Sequence, residues 1–124
     1  MAKKRLLVID DSADITMPLK LYLEKTGAYE VRVESEGAKG VAAAKEFRPD
    51  LILLDVVMPD MDGGDVAAAI EEDPAIQRIP IVFLTASITK KEMGVVGSVG
   101  GKPLLSKLLS LNEVMEYIKK TIGS

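Results

Sequence analysis

Three aspartates follow short apolar segments of this 124-residue chain and could together hold a cation. Asp10 and Asp11 end the apolar segment that begins at Arg5, and Asp55 directly follows the strongly apolar segment 51–54. If the three carboxylates share one crevice, each pair repels by roughly 4 kcal/mol at about 4 Å and an effective dielectric constant of about 20. Either one carboxylate is then protonated or a cation is bound. With oxygen ligands alone, Mg²⁺ is the natural ion.

A hydroxyl and a lysine follow two later apolar segments. Thr85 comes after the segment IPIVFL, and Lys107 comes after the short segment 103–106. Each residue alone is weak evidence, because hydroxyls at strand ends often bond loop backbone and most lysines are simply solvated. The acidic pair has an ordinary alternative too, since Asp11 or Ser12 could cap a helix. Their joint occurrence at the ends of four apolar segments favours one shared site.

The hydrophobic pattern alternates between short apolar segments and longer stretches with helical periodicity. The predicted strands cover residues 5–9, 29–33, 51–54, 79–84 and 103–106. The predicted helices cover residues 15–27, 36–47, 65–72, 88–99 and 111–122, the fourth of them rich in glycine. Pro18 removes one intrahelical donor, so we expect a kink or a late start in the first helix. Ser110 and Glu113 predict a capping box at the start of the last helix.

Five strands alternating with five helices predict a doubly wound α/β fold. The strands should be parallel and joined by right-handed crossovers, with helices on both faces of the sheet. Ligands of such sheets bind beyond the carboxyl ends of the strands, where the candidate residues lie. The chain length is typical of one compact domain of roughly 100–150 residues, so we expect a single domain over residues 1–124.

The composition excludes several kinds of chemistry. The chain has no cysteine and no histidine, which excludes disulfides, thiolate nucleophiles, metal sites built on these residues and an imidazole base. Any histidine chemistry must therefore come from a partner. A formal net charge of −3 gives no reason to expect nucleic-acid binding. No apolar segment approaches the ~20 residues that span a bilayer, and no signal-peptide pattern is present, so we expect a cytoplasmic protein without membrane attachment.

The chain resembles the receiver domains of response regulators over essentially its whole length. The matching motifs are LLVIDDS at 6–12, DLILLDVVMPDMDG at 50–63, PIVFLTA at 80–86, and a lysine of the fifth strand followed by a terminal helix. The resemblance implies a flavodoxin-like fold with five helices and a five-stranded parallel sheet of order 2-1-3-4-5, as in stand-alone chemotaxis regulators. It also implies a phosphorylation-dependent switch of a two-component system. Such a domain is regulatory and not an enzyme, since it catalyses only its own phosphorylation and dephosphorylation.

The resemblance further implies a role for each candidate residue. Asp55 would accept a phosphoryl group from a histidine kinase, a phosphotransfer protein or a small phosphodonor. Thr85 and Lys107 would contact that group. The Mg²⁺ ligands would be Asp10 (mainly through a metal-bound water), Asp11, Asp55 and the backbone carbonyl of Val57. The domain would act on a downstream protein in trans, as a monomer or weak dimer.

Two lysines compete for the phosphoryl-contacting position. The family usually shows Lys-Pro, which Lys102 would satisfy. We favour Lys107, because its spacing from Thr85 is close to the family pattern and because it immediately precedes LLSLNEVMEYI, which looks like the usual link into the last helix. Choosing Lys102 would remove about five residues from the fourth helix. With Lys107, the next residue is Leu108, so the cis proline bond that often aims this lysine would be absent.

One further departure concerns signal readout. The family often has an aromatic residue three positions before the lysine, whose rotamer follows phosphorylation. Here that residue is Leu104, or Val99 if Lys102 is the lysine. We assign Leu104 to the signalling surface, although the absence of an aromatic side chain argues against a ring rotation as the readout.

Other functions remain possible on the same fold. A pseudo-receiver, which binds proteins without being phosphorylated, is suggested by Leu104 and Leu108. A metal-dependent phosphohydrolase with an aspartyl nucleophile would need an acid/base carboxylate two residues after Asp55, where Val57 stands. A flavin-binding relative is disfavoured, because acidic strand ends repel a phosphate unless a cation is bound.

Overall fold

The computed structural model describes residues 3–86, 98–99 and 102–123, in which strands alternate with helices along most of the chain. The strands are β1 (Lys4–Ile9), β2 (Tyr29–Glu34), β3 (Leu51–Asp55), β4 (Ile81–Thr85), β5 (Ser98–Val99) and β6 (Lys102–Ser106). The helices within the described ranges are α1 (Ala13–Lys25), α2 (Gly37–Phe47), α3 (Gly63–Glu71) and α4 (Leu111–Ile122). None of these helices is both long and apolar enough to cross a bilayer.

The sheet has the strand order β2-β1-β3-β4-β6-β5. Each neighbouring pair from β2 to β6 is parallel. These five parallel strands confirm the predicted order, with β6 in the position of the predicted fifth strand. The two-residue strand β5 pairs antiparallel with β6 and lengthens the sheet at that edge.

Pro18 does not delay the first helix. Of the two effects expected from this residue, a kink or a late start, the late start is wrong: α1 begins at Ala13, and Pro18 lies inside it. The predicted end of the helix over 88–99 was wrong, because Ser98 and Val99 form β5. The rest of that predicted helix, residues 88–97, lies outside the described residues. The predicted capping box is confirmed: the Ser110 hydroxyl accepts the Glu113 N–H at 3.1 Å, and the Glu113 carboxylate accepts the Ser110 N–H at 3.0 Å.

The core lies on both faces of the sheet, because successive strand residues point to opposite sides. On one face, alternate residues of β1 and β3 pack against α1 and α4, with Leu23 and Ile118 fully buried. On the other face, the remaining strand residues pack against α2 and α3, with Ala43 and Ile70 fully buried. All five residues of β3 are buried. Such a strand is held firmly from both sides.

The strand register brings the candidate residues to one edge. Asp55 and Thr85 are the last residues of β3 and β4, and Asp10 directly follows β1. In β6, Ser106 pairs with Thr85, so Lys107 emerges beside the end of β4. Parallel pairing therefore assembles side chains that are up to about a hundred residues apart in the chain.

Gly63, the first residue of α3, packs against the end of β3. Its N–H donates to the Val56 carbonyl at 2.8 Å. A Cβ at this position would collide with the Asp55 carbonyl oxygen and lie 2.9 Å from the Val56 Cα, whereas a Cβ at Gly64 would meet nothing within 4 Å.

We expect Gly63→Ala to lower the free energy of unfolding by about 1–3 kcal/mol, the usual cost of overpacking. Gly64→Ala, the matched control one residue later, should leave it unchanged or raise it by up to about 1 kcal/mol, because alanine favours helix. Urea denaturation of both variants checks this. Equal unfolding midpoints would contradict the close packing of Gly63 against β3.

Candidate functional site

Three aspartates converge at the carboxyl edge of the sheet. One carboxylate oxygen each from Asp10, Asp11 and Asp55 can be chosen so that all three atoms lie within 4.8 Å of one another. Asp10 and Asp55 are buried, with 1% and 5% of their surface exposed, and Asp11 is exposed. Convergence of these side chains was predicted from their positions after apolar segments. A set of oxygen donors this close, with one side open to solvent, fits Mg²⁺.

Local backbone contacts orient the two buried carboxylates. Asp10 Oδ1 accepts the Ser12 N–H at 2.9 Å, and Asp55 Oδ1 accepts the Val57 N–H at 3.4 Å. Ser12 occupies the N-cap position of α1, but its side chain makes no capping hydrogen bond. The alternative role of Ser12 as a side-chain cap is therefore wrong.

Lys107 is the positive charge inside this cluster. Its Nζ lies 2.8 Å from Asp10 Oδ2 and 3.2 Å from Asp55 Oδ1. Asp10 Oδ2 is buried, and no donor in the described part of the chain makes a hydrogen bond of good geometry to it. The ion pair with Lys107 therefore balances the negative charge of this oxygen. One ammonium among three carboxylates leaves an excess of negative charge.

The charge excess shifts the pKa values of Asp55 and Lys107. Burial raises the pKa of Asp55, and the neighbouring Asp10 carboxylate raises it further, while Lys107 opposes this shift without cancelling it. Burial alone would lower the pKa of Lys107, but its contacts with Asp10 and Asp55 outweigh this effect and raise the pKa. The cluster is thus short of positive charge, which a bound divalent cation would supply.

An open cavity of about 310 Å³ gives solvent access to the cluster. Its lining residues are Asp11, Asp55, Val56, Val57, Thr85, Ala86 and Lys107. Thr85 is 7% exposed, and its carbonyl accepts the Lys107 N–H at 2.8 Å, which ties the ends of β4 and β6 together. The cavity therefore presents a carboxylate, a hydroxyl and an ammonium to the same small volume. This arrangement suits an anionic group attached to, or held beside, Asp55.

Lys102 and Leu104 lie elsewhere. Lys102 Nζ pairs with Glu71 Oε1 of α3 at 2.8 Å, so of the two candidate lysines only Lys107 contacts the acidic cluster. Leu104 is 6% exposed and packs in the core between the sheet and α2 and α3. Leu104 was assigned to the signalling surface; its side chain is buried on the interior face of β6, so it offers a partner no direct contact surface, and its part in signalling stays a prediction.

Sequence reasoning missed one contact of the loop that follows Asp55. The Asp60 carboxylate accepts the Gly37 N–H at 3.1 Å and the Ala38 N–H at 3.4 Å, so it joins this loop to the start of α2. The only sequence signal was indirect: Glu36, a poor capping residue, precedes α2.

Comparison with known proteins agrees with this architecture. Residues 6–119 match the response regulator receiver domain family. The chemotaxis protein CheY of Bacillus subtilis is 35% identical over 122 residues, which cover 96% of this chain and 98% of that protein. The DNA-binding response regulator MtrA of Mycobacterium tuberculosis is 38% identical over 84 residues, or 68% of this chain, but the match spans only 35% of that longer protein.

A solved structure agrees as well. The receiver domain of the Pseudomonas aeruginosa sensor histidine kinase PA1611, whose active-site cleft holds a magnesium ion, superposes with a TM-score of 0.81 at 25% identity. The match covers 99% of this chain and all of that domain. The family match and the near full-length similarity to CheY show that this chain belongs to the response regulator receiver domain family.

Proposed function

We propose that this protein is a phosphorylation-dependent switch of a two-component system, with Asp55 as the residue that accepts the phosphoryl group. Receiver domains are regulatory domains, and membership of this family supports a signalling role. The observation that carries the proposal is the cavity shared by Asp55, Thr85 and Lys107 at the carboxyl edge of the sheet.

Among the three aspartates, Asp55 is best placed to act as acceptor. Asp10 is almost fully buried, its two oxygens are engaged by the Ser12 N–H and by Lys107, and it does not line the cavity. Asp11 lines the cavity but is exposed, which suits a ligand of a cation. Asp55 lines the cavity and also contacts the lysine, so an attached phosphoryl group would find a positive partner at once.

The proposed reaction is an in-line transfer from phosphohistidine. A carboxylate oxygen of Asp55 attacks phosphorus, the P–N bond of the donor breaks, and the imidazole leaves with the bond's electron pair and takes up a proton. Because this chain has no histidine, the phosphohistidine in this reaction would belong to a histidine kinase or a phosphotransfer protein. Lys107 would offset charge on the phosphoryl oxygens, and Thr85 lines the same cavity, where its hydroxyl would contact them.

The proposed cofactor is Mg²⁺, which would be held by Asp11, Asp55 and the carbonyl of Val57, with Asp10 acting mainly through a metal-bound water. When bound, it would supply positive charge to the carboxylates and to the phosphoryl oxygens. Val57 lines the cavity and is 70% exposed, which leaves room for a hydrated cation to approach it.

The proposed signal starts from Lys107 and Thr85. Attraction of both residues to the new phosphoryl charge would shift the ends of β4 and β6, which are tied by the hydrogen bond between Lys107 and Thr85. Leu104 is buried and pairs with Phe83 in the strand register, so it would transmit this shift to the core. No rotation of an aromatic side chain would be needed. The response would be read by a downstream protein in trans, and we expect a cytoplasmic monomer or weak dimer.

Phosphorylation can be tested with acetyl phosphate or phosphoramidate in the presence of Mg²⁺. We expect intact-mass measurement to show one added phosphate on the wild type and none on Asp55→Asn, because the acceptor carboxylate is lost. Asp62→Asn is the control, since Asp62 is exposed in the same loop and its side chain makes no cap bond. It should still be phosphorylated.

Two outcomes of this experiment would count against the proposal. Phosphate on the Asp55→Asn variant would place the acceptor elsewhere. No phosphate on the wild type from either donor would favour the pseudo-receiver, a protein-binding module for which exposed Leu108 offers an apolar contact.

The cation site makes a separate prediction. Binding to the folded state alone stabilises a protein by about 2.7 kcal/mol at a ligand concentration 100 times Kd, so Mg²⁺ should raise the thermal midpoint of the wild type. Asp11→Asn should lose most of this gain. Asp14→Asn, an exposed aspartate in the first turn of α1 and outside the cluster, should keep it. Thermal denaturation with and without Mg²⁺ measures the difference, and an undiminished gain in Asp11→Asn would argue against this ligand set.

The lysine assignment can be tested by hydrogen exchange of residues 83–86 and 102–110 with and without phosphodonor. The wild type and Lys102→Ala should show a phosphorylation-dependent change, because Lys102 pairs with Glu71 away from the cavity. Lys107→Ala should lose it. The reverse result, with loss in Lys102→Ala alone, would transfer the role to Lys102.

A further inference from the structure

The loop after the acceptor strand is fastened to a helix on one face of the sheet. We call residues 56–62, which connect β3 to α3, the acceptor loop. Within this loop, the two carboxylate oxygens of Asp60 accept the N–H groups of Gly37 at 3.1 Å and Ala38 at 3.4 Å. The partners are more than twenty residues away in the chain, so this contact joins two separate segments.

The Asp60 carboxylate accepts the first two backbone N–H groups of helix α2. Its N-cap residue Glu36 makes no side-chain cap hydrogen bond, and the first turn of α2 contains no acidic residue. The free N–H groups at a helix start favour an anion, both as acceptor and through the helix dipole. The Gly37 N–H is the main cause of the lowered pKa of Asp60, and the Ala38 N–H contributes to it. Asp60 thus serves as the cap that α2 does not supply itself.

A second contact presses the acceptor loop against α2. A Cβ on Gly37 would lie 2.9 Å from the Cβ of Met61 and 2.8 Å from Cγ2 of Val66. The loop therefore packs directly on the backbone of α2. Met58, at 5% exposure, anchors the middle of the loop in the core.

Between these anchors lies the part of the loop that borders the cavity. Val57 is 70% exposed, and the hydrogen bond of its N–H to the Asp55 side chain is long, at 3.4 Å. Because this bond is long, the orientation of the Val57 peptide should depend on how the rest of the loop is held. Met58 and Asp60, which follow Val57 closely in the chain, are two of the points at which the loop is held.

We propose that Asp60 is a positioning residue for the cation and phosphoryl site: by docking the acceptor loop on α2, it holds the Val57 peptide in the orientation that the site requires. This inference rests on the proposed function, since the cation is the one proposed there. Asp60 itself touches neither the cation nor the phosphoryl group. It acts through the loop.

The simpler explanation is that Asp60 only caps α2. A cap contributes to the stability of the fold but leaves the affinity of the folded protein for Mg²⁺ unchanged. Positioning of Val57 predicts weaker Mg²⁺ binding in protein that is still folded. The two explanations therefore separate on affinity and not on stability.

The experiment compares Asp60→Ala and Asp60→Asn with two controls. Asp62→Ala changes an exposed aspartate of the same loop without a cap bond. Asp73→Ala removes a carboxylate that accepts the Ala75 N–H at 2.9 Å and pairs with Lys45 at 3.1 Å, beyond the far end of α3. The readouts are Mg²⁺ affinity by titration calorimetry below the unfolding transition, and hydrogen exchange of residues 56–63 in metal-free protein.

We expect Asp60→Ala to weaken Mg²⁺ binding about tenfold, at the low end of the roughly 10–100-fold effect of residues that orient metal ligands. Exchange of the acceptor loop should accelerate in the same variant without metal. Asp60→Asn should recover part of both properties, because its amide oxygen can still accept one N–H. Both controls should bind Mg²⁺ like the wild type, although Asp73→Ala loses stability.

Wild-type Mg²⁺ affinity in folded Asp60→Ala would overturn the positioning role and leave only the cap. Equal weakening in Asp73→Ala would also overturn it, because the effect would then follow stability in general. If the wild type itself binds no Mg²⁺ and takes no phosphate, the proposed function fails. That failure is seen before any variant is compared, so the two failures are distinct.

Discussion

Repulsion between carboxylates at one edge of the sheet is the constraint on which the rest of this site depends. Asp10, Asp11 and Asp55 are held with oxygens within 4.8 Å, and two of them are buried. Lys107 offsets part of the charge through contacts at 2.8 and 3.2 Å. Such an arrangement persists only because the fold around it is stable enough to hold the charges in place. The apolar strands supply that stability: β3 is buried along its whole length, and cores on both faces clamp it.

The sequence predicted the parts of the site that follow directly from strand ends. Asp10, Asp55 and Thr85 each follow a strongly apolar segment, and parallel strands must end at the same edge. The choice between Lys102 and Lys107 depended on spacing, and the register of β6 with β4 now places Lys107 beside the cluster. Features that depend on side-chain environment were beyond the sequence. The pattern of β6 did not reveal that Leu104 faces the core.

Contacts between distant segments explain the remaining omissions. The bonds of Asp60 to the start of α2 require that the acceptor loop and α2 meet across the top of the sheet, and no local pattern reports such a meeting. Gly63 is a similar case. A side chain does not fit at this position because its Cα lies close to the end of β3, and no local pattern reports that approach. The late start that Pro18 suggested for α1 was wrong for a different reason. The rule that proline disfavours helix interiors is a local preference, and packing of Leu19 and Leu23 against the sheet outweighs it.

On the proposed function, the same charges that would bind a cation also oppose the chemistry. Burial and the neighbouring Asp10 raise the pKa of Asp55, which disfavours the ionised form that a nucleophile needs. Lys107 counters this effect through ion pairs with Asp10 and Asp55. A phosphoryl group on Asp55 would draw the same ammonium toward its own oxygens, and Asp10 Oδ2, which is buried, would then lose its partner. Unless other positive charge replaces that partner, release of Lys107 costs the energy of an unpaired buried carboxylate. Cation binding and the movement of Lys107 are therefore thermodynamically linked, and each favours the other.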